Sequence, residues 1–193
     1  KQELLQEERT AMLDLPRQLF DARRVTQAAA NSLSLVCFDT NSYSVPVKYA
    51  YRQLTIVASV EEVRLIFQGE LIARHPRHWG REQHIFDPVH YLALLERKPG
   101  GLDHAGPLEK WELPRCFTVL RRRMETAPEG LGTREYIRTL RLLETHSVKE
   151  LTGAVEYALD IGIHDADSIR VILEHRREAP VGLFSLDGRP HLK

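Results

Sequence analysis

The side chains whose types could bind a metal or a phosphate are concentrated in one basic stretch, RHPRHWGREQHIFDP. Arginine and histidine surround a single tryptophan there, and the apolar residues follow neither a strand nor a helix period. A zinc site needs three or four converging ligands, but the stretch has no cysteine and its arginines would repel a dication. A metal site is therefore disfavoured. The residues concerned are Arg74, His75, Arg77, His78, Trp79, Arg81 and His84.

Contact with phosphate is the alternative chemistry for this stretch. A guanidinium group carries a fork of donors that matches a phosphate, and tryptophan or histidine beside it can stack or bridge. A loop of this composition is able to follow a nucleic-acid backbone. The competing interpretation, which stays open, is a solvated loop whose arginine stems pack on Trp79.

Other residues of reactive type have simpler explanations. Cys37 and Cys116 lie on apolar faces, and no nucleophile and base occur at a spacing that would mark a catalytic pair. The segment PGGLDHAGP lacks the flanking strand and the lysine that a phosphate-binding loop requires. An independent enzyme is therefore disfavoured.

Residues 33–76, which must position the basic stretch, predict strands. Five short apolar runs are separated by turn residues, and in four of them apolar residues recur at every second position. Connections this short make neighbouring strands antiparallel, and five short strands hide their edges best in a closed barrel. The sequence thus predicts a small five-stranded antiparallel β-barrel. The runs are SLSLVCF, VPVKYAY, QLTIVASV, EVRLIFQ and ELIARHP.

The apolar period becomes helical after the basic stretch. Asp87 and Pro88 predict the start of a helix, and Pro99 followed by two glycines predicts its end. Beyond Pro114 the period is helical, with a capping box that begins at Ser147. The sequence therefore predicts a β + α chain. Its segments are a helix and linker over 1–32, the β-barrel with the basic loop over 33–86, a helix and linker over 87–113, an α-helical domain over 114–180 and a tail over 181–193.

Composition and charge limit the function classes. The 193 residues carry 27 basic and 27 acidic side chains, but residues 41–123 hold 13 basic and 9 acidic ones, a net charge of +4. A modestly basic middle suits a secondary contact with nucleic acid. Two cysteines without a CxxC spacing, and no long apolar run, favour a reducing cytoplasmic compartment and no membrane partner. Because the chain begins with Lys1 inside a helical pattern, we expect it to belong to a longer protein.

One long segment carries a specific resemblance. The segment FDTNSYSVPVKYAYRQLTIVASVEEVRLIFQGELIARHPRHWGREQHIFDPVHYLALLERKPGGLDHA resembles the IstA-type transposases of the insertion-sequence-twenty-one family, which are bacterial DDE transposases. The likeness continues through WELPRCFTVLRRRMET and GTREYIRTLRLLETHSVKEL, so it covers nearly the whole chain. The strings NxYSVPV, ELIARHPR and LLERKPGGLDHA are long and specific.

The resemblance implies a C-terminal, non-catalytic region similar to the barrel of phage Mu-type transposases. In such proteins a helix-turn-helix that binds the transposon end, and three carboxylates that hold divalent metal (Mg²⁺), precede this region. No Asp or Glu of this chain matches that triad, so we expect neither a cofactor in the chain nor activity by itself. The implied partners are DNA, as transposon end or flanking duplex, other transposase subunits and an AAA+ ATPase of the IstB type.

The resemblance and the basic stretch together predict a function. We expect the chain to bind the DNA backbone and to assist subunit assembly in a transposition complex, in the bacterial cytoplasm and associated with the nucleoid. The alternative is an interaction module that docks the ATPase and has no direct DNA role. No catalytic or metal-binding residue is predicted. The predicted DNA-contacting residues are Arg74, Arg77, His78, Arg81, Lys48, Arg52, Arg121 and Arg122.

Overall fold

A computed structural model describes residues 22–126 and 131–177 of the protein. Within these ranges seven strands come first along the chain and five α-helices follow, so the predicted combination of a β part and a helical part is confirmed. The helix predicted near the N-terminus and the tail over 181–193 lie outside the described residues. The strands are β1 (Arg24–Ala29), β2 (Leu35–Phe38), β3 (Asn41–Ser44), β4 (Gln53–Ala58), β5 (Glu62–Phe67), β6 (Glu70–Pro76) and β7 (His84–Ile85).

Four strands form an antiparallel sheet in the order β1-β4-β5-β6. Leu54, Ile56 and Ala58 alternate inward along β4 and are buried, and Val63 and Leu65 do the same along β5. The two-residue period of the sequence causes this burial, because successive side chains of a strand point to opposite faces. Strands β4, β5 and β6 correspond to three of the five predicted runs.

The other strands form a sheet in the order β2-β3-β7. A tight hairpin joins β2 to β3, and its two central residues, Asp39 and Thr40, have φ values of 46° and 66°. Two positive φ angles are what a type I′ turn requires, and the twist of that turn matches the twist of the strands. Strand β7 pairs with β3 in parallel, and the sequence predicts this segment as loop, so the strand is missed; the strand pairs within residues 33–76 are antiparallel as predicted. A parallel pair needs a long connection, which β4, β5 and β6 supply.

Two elements differ from the sequence-based prediction. The run VPVKYAY predicts a strand, whereas Val47–Tyr49 is a turn of 3₁₀ helix. Pro46 has no N–H for a strand ladder, and Tyr51 has a φ of 61°, so the backbone turns instead of extending. Residues 24–29 are predicted as linker but form β1. The positions of β1 on the inward face are occupied by Arg24, Thr26 and Ala28, none of which is a large apolar residue. Small and polar inward residues give a weak strand signal.

The strand pairing also differs from the predicted closed barrel. Hydrogen-bonded pairing within the described residues gives two sheets, because the 3₁₀ turn separates β3 from β4 and interrupts the ladder. Both sheets nevertheless enclose one apolar core, and residues 24–85 are called the β unit below. The buried members of this core are Ala30, Val36, Phe38, Tyr43, Val45, Leu54, Ile56, Ala58, Val63, Leu65 and Ala73.

The helices begin and end at residues with recognisable capping chemistry. The Ser147 side chain accepts from the N–H of Glu150, and the Glu150 side chain accepts from the N–H of Ser147, which confirms the predicted capping box. Gly162, with a φ of 80°, follows the end of the same helix. The helices are α1 (Leu92–Arg97), α2 (Arg115–Met124), α3 (Leu131–Arg141), α4 (Val148–Asp160) and α5 (Ala166–Arg177), with 3₁₀ turns at Pro88–Tyr91, Pro99–His104, Gly106–Leu108 and Leu142–Glu144.

A second apolar core lies among the helices, and the described residues from 87 onward are called the helical unit below. Leu92 and Leu95 of α1 belong to this core, together with Leu102 from the following 3₁₀ turn. None of the described helices is both long enough and apolar enough to cross a membrane. The other buried members of the core are Phe117, Leu120, Met124, Tyr136, Ile137, Leu140, Leu151, Ala154, Val155, Ala158, Ile169 and Leu173.

Candidate nucleic-acid interface

The basic loop, residues 77–83 between β6 and β7, is held by a buried amide of strand β3. Asn41 is 1% exposed, and its Nδ2 donates to the carbonyl oxygens of His78 at 3.0 Å and Gly80 at 2.8 Å. Its Oδ1 accepts from the N–H of Gln83 at 3.0 Å. One side chain therefore satisfies three backbone groups of an irregular segment, which gives the basic loop a defined conformation.

Arg77 braces the start of the basic loop against the β unit. Its Nη1 donates to the carbonyl oxygen of Ser59 at 2.7 Å, and its Nη2 donates to Oδ2 of Asp39 at 2.7 Å. The guanidinium carbon lies 5.4 Å from the ring centroid of Phe38 and 4.0 Å from that of Trp79, so it makes cation–π contacts with both rings. These contacts correspond to the packing alternative that the sequence left open for the arginine stems.

Two carboxylates beside the basic loop each bind two arginines. Asp39 accepts from Arg24 at 2.8 Å in addition to the bracing arginine, and Glu62 pairs with Arg64 and, at 3.2 Å, with Arg74. Each group of three charges keeps a net charge of +1, because one carboxylate balances only one guanidinium. Arg24 and Arg64 are absent from the predicted set, since only strand pairing brings them to this end of the sheet.

The tip of the basic loop is exposed. Trp79 is 68% exposed, and His78 and Arg81 are exposed on either side of it. Nδ1 of His78 accepts from the N–H of Gly80 at 3.1 Å, which orients the imidazole along the loop. Among the residues that the structure describes, no carboxylate pairs with Arg81, so its guanidinium is available to an external anion.

Lys48 and Arg52 lie at a distance from the basic loop. Both precede β4, whereas the loop contacts Ser59 just beyond the other end of that strand. Six residues of extended chain span about 20 Å. The Lys48 ammonium group lies 5.0 Å from the ring centroid of Tyr49. The structure therefore does not bring these two cations together with the arginines of the loop.

Arg121 and Arg122 belong to helix α2 of the helical unit. Arg121 pairs with Asp103 at 2.7 Å and with Glu125 at 2.6 Å, and its guanidinium carbon lies 5.9 Å from the ring centroid of Tyr136. Two carboxylates thus neutralise the charge of one guanidinium, and the contacts of Arg121 all lie within the helical unit. Arg122 is exposed on the same helix.

The three histidines of the basic stretch do not converge. His75 is 3% exposed, and its Nε2 lies 2.7 Å from the carbonyl oxygen of Ser44, whereas His78 and His84 are exposed. Across residues 22–126 and 131–177, no group of three or more His, Cys, Asp or Glu side chains is placed to hold a metal ion. The donors in these ranges therefore do not fit the divalent metal that the resemblance implies for the longer protein.

A polar cluster between the β unit and the helical unit, buried except for the Asp87 carboxylate, has no signal in the sequence pattern. This junction cluster consists of Ser44, His75, Asp87 and His90. Oγ of Ser44 accepts from the N–H of Asp87 at 2.8 Å and lies 2.8 Å from Nδ1 of His90, whose ring centroid is 5.6 Å from that of His75. Burial lowers the pKa of His90 to about 4 and also lowers the pKa of His75, because a charged imidazolium is disfavoured away from water.

Comparison with known proteins gives the relatives of this chain. Residues 15–87 match the family model for the Mu transposase, C-terminal domain. The chain is 32% identical over 184 residues to the transposase for insertion sequences IS1326/IS1353 of Pseudomonas aeruginosa, and equally to that of Shigella flexneri. These alignments cover 93% of this chain and 35% of each relative. A transposase of Aminobacter aminovorans is 33% identical over 134 residues, which cover 67% of this chain and 26% of the relative.

The extent of these matches defines what is shared. The chain spans about a third of the length of the transposases of Pseudomonas aeruginosa and Shigella flexneri. No solved structure gives a significant match. The β unit and the basic loop both lie inside the family match, and the matches are compatible with the IstA subtype without naming it. The chain is therefore identified as a transposase C-terminal region, with a Mu transposase C-terminal domain over residues 15–87.

Proposed function

We propose that this transposase accessory region binds the DNA backbone through the basic loop and the arginine groups beside it. The observation that carries the proposal is a cluster of five arginines around an ordered loop, against four carboxylates once Glu61 and Glu82 are included, so that the surface has a net charge of +1. Asp39 and Glu62 each bind two arginines, and Arg81 has no carboxylate partner in the described part of the chain. Phosphate is the anion that such a surface takes, because forked guanidinium donors match its geometry.

The contact is with the backbone and not with base edges in the major groove. Reading the major groove requires a helix or a two-stranded ribbon that fills it, and residues 77–83 form neither. Phosphate contacts position a protein on a duplex without reading sequence. The binding is therefore expected to be similar for duplexes of different sequence.

The test is the salt dependence of binding by the variant Arg81→Ala. Loss of one phosphate contact should weaken binding to all duplexes similarly and lower the slope of log K against log salt by about one. Fluorescence anisotropy over a series of salt concentrations measures the slope. The matched control is Arg97→Ala, which removes an exposed arginine from helix α1 and should leave the slope unchanged.

Melting temperatures of the same proteins separate binding from folding. Arg81 has an exposed side chain and should be replaceable without loss of stability. Arg77→Ala is the contrasting case, since it removes the contacts with Ser59 and Asp39 and should lower the melting temperature. An unchanged salt slope for Arg81→Ala would contradict the proposed phosphate contact.

Assembly with other transposase subunits is the second part of the proposal. The outer face of the four-stranded sheet offers exposed apolar side chains, with Val25 64% and Leu71 51% exposed. For the longer protein, we propose a catalytic domain that uses Mg²⁺, an AAA+ ATPase partner of the IstB type, and a place in the bacterial cytoplasm near the nucleoid. These proposals for the longer protein rest on the resemblance to IstA-type transposases.

A further inference from the structure

Trp79 combines high exposure with a fixed position. The ring is 68% exposed, yet the backbone on both sides of it is anchored. The N–H of His78 donates to the hydroxyl of Tyr43 at 3.2 Å, and the carbonyl oxygens of His78 and Gly80 accept from Asn41. A large apolar ring that is held in water is a candidate contact surface, because solvent exposure of such a ring is otherwise unfavourable.

Only one face of the Trp79 ring is covered. The guanidinium carbon of Arg77 lies 4.0 Å from the ring centroid, and that guanidinium is itself fixed by Ser59 and Asp39. The covered face therefore has a rigid, cationic backing. With 68% of the residue exposed, the opposite face of the ring is open to solvent. The side chain is a flat platform with one free face.

The surroundings indicate what stacks on this free face. Arg81 is exposed two residues away, and the arginine groups around Asp39 and Glu62 each keep a net positive charge. With Glu61 and Glu82 beside them the net charge of the surface is +1, and the forked guanidinium donors match the phosphates of an anionic polymer rather than a cationic side chain of a partner protein. Nucleobases stack on aromatic side chains without sequence preference, because every base has a π face. A base within an intact duplex is covered on both faces by its neighbours, so a free face exists only where the helix is interrupted.

We propose that Trp79 stacks on an unpaired nucleobase at an interruption of the DNA helix, while Arg81 binds a neighbouring phosphate. The inference rests on the proposed backbone binding. It adds that the preferred DNA is one in which a base face is accessible, rather than any duplex. Arg77 is a positioning residue in this arrangement, since it orients the indole ring without touching the base.

The experiment compares two duplexes whose ends are closed by non-nucleotide linkers and which differ only in one bulged, unpaired base. The chain contains two tryptophans, so a Trp111→Phe background isolates the emission of Trp79. The bulged duplex should quench this emission and bind about tenfold more tightly than the continuous duplex. Trp79→Ala should lose that preference while it keeps salt-dependent binding to the continuous duplex. Trp79→Phe, which retains an aromatic face, should keep part of the preference.

Each other outcome has a defined meaning. Equal affinity for both duplexes with a normal salt slope would overturn the stacking of Trp79 and leave the proposed backbone binding intact. Absence of binding to either duplex would overturn both proposals. A change of Trp79 emission with protein concentration alone, without DNA, would assign the ring to a protein contact and overturn the inference. If Trp111→Phe lowers the melting temperature too far, the difference in emission between the unmodified chain and Trp79→Phe gives the same signal.

Discussion

At the scale of the residue, the exposed side chains of the candidate interface depend on buried ones. Arg81 and Trp79 face solvent, but the backbone that carries them is fixed by the amide of Asn41. The amide is suited to this role because it donates and accepts at the same time, whereas a carboxylate only accepts. The identity of one buried side chain thus decides the geometry of an exposed surface.

The variant Asn41→Asp should therefore destabilise the protein. A carboxylate still accepts from the N–H of Gln83, but it places a negative charge against the carbonyl oxygens of His78 and Gly80 and removes both donors. The expected loss in the free energy of unfolding is about 1–3 kcal/mol. Urea denaturation followed by circular dichroism measures it.

Asn31→Asp is the matched control for this substitution. Oδ1 of Asn31 accepts from the N–H groups of Leu33 at 2.9 Å and Leu35 at 3.0 Å, and a carboxylate makes both bonds equally well. The control should leave the free energy of unfolding nearly unchanged. Equal destabilisation by the two substitutions would mean that the added charge, and not the lost donors of Asn41, is responsible.

At the scale of the element, the junction cluster joins three pieces of the chain that are far apart in sequence. Strand β3 contributes Ser44, strand β6 contributes His75, and the 3₁₀ turn that precedes α1 contributes His90. Because Ser44 accepts from the N–H of Asp87, its own hydroxyl proton is available to Nδ1 of a neutral His90. Protonation of His90 removes that acceptor, so acid should loosen the contact between the two units.

The free energy of unfolding should rise with pH between about 4 and 6.5. Burial lowers the pKa of His90 from its ordinary value of 6.5 to about 4, so within this window the unfolded chain binds a proton that the folded chain does not. The stability that the neutral ring contributes is complete above pH 6.5 and is lost as the pH falls toward 4. One such histidine gives a slope of at most about 1.4 kcal/mol per pH unit. Urea denaturation across this range measures the slope.

Two variants test the assignment of this slope. His90→Gln removes one of the two buried imidazoles with a lowered pKa and should reduce the slope, while His75 supplies the remainder. In the unmodified chain the Asp87 side chain caps the N–H of Val89 at 3.0 Å, and Asp87→Asn keeps an oxygen for this bond. The variant removes a carboxylate that raises the pKa of His90, so the pH window should extend to lower pH. A slope for His90→Gln equal to that of the unmodified chain would assign the effect to other groups.

The predictable part of this fold is the part that local pattern determines. The alternation through Leu54 and Leu65 and the capping box at Ser147 depend on residues close in sequence, and they predict β4, β5 and helix α4 correctly. Strand β1 and the parallel pairing of β7 depend on distant partners, so no local period marks them. The basic loop can be predicted from its composition. Its contacts with Asp39 and Asn41 cannot, because only the folded β2–β3 hairpin brings these two residues to the loop.

At the scale of the whole molecule, two apolar cores are joined by a polar junction. The core of the β unit and the core of the helical unit share no residue. Between them lie the junction cluster and a hydrogen bond from the hydroxyl of Tyr91 to the carbonyl oxygen of Leu33 at 3.1 Å. Polar bonds of this kind contribute about 0.5–1.5 kcal/mol each, far less than either core. We therefore propose that the two units open independently.

Core substitutions in each unit test this independence. Leu65→Ala and Leu140→Ala each remove a fully or almost fully buried side chain, at 0% and 1% exposure, and should each cost about 2–5 kcal/mol. Hydrogen exchange read by mass spectrometry should accelerate only between residues 24 and 85 in the first variant and only in the helical unit in the second. Acceleration across both units in either variant would contradict the division.

The packing of helix α1 shows on which side of this helix the boundary between the two units lies. The change of period in the sequence predicts a joint between residues 99 and 114, with proteolytic cleavage in GGLDHAGP. Leu92 and Leu95, however, pack into the helical core, which favours a joint before α1. Exchange in α1 should therefore accelerate in Leu140→Ala and stay slow in Leu65→Ala. The reverse pattern, together with cleavage in GGLDHAGP, would place α1 with the β unit, because a helix exchanges with the core that its buried side chains stabilise.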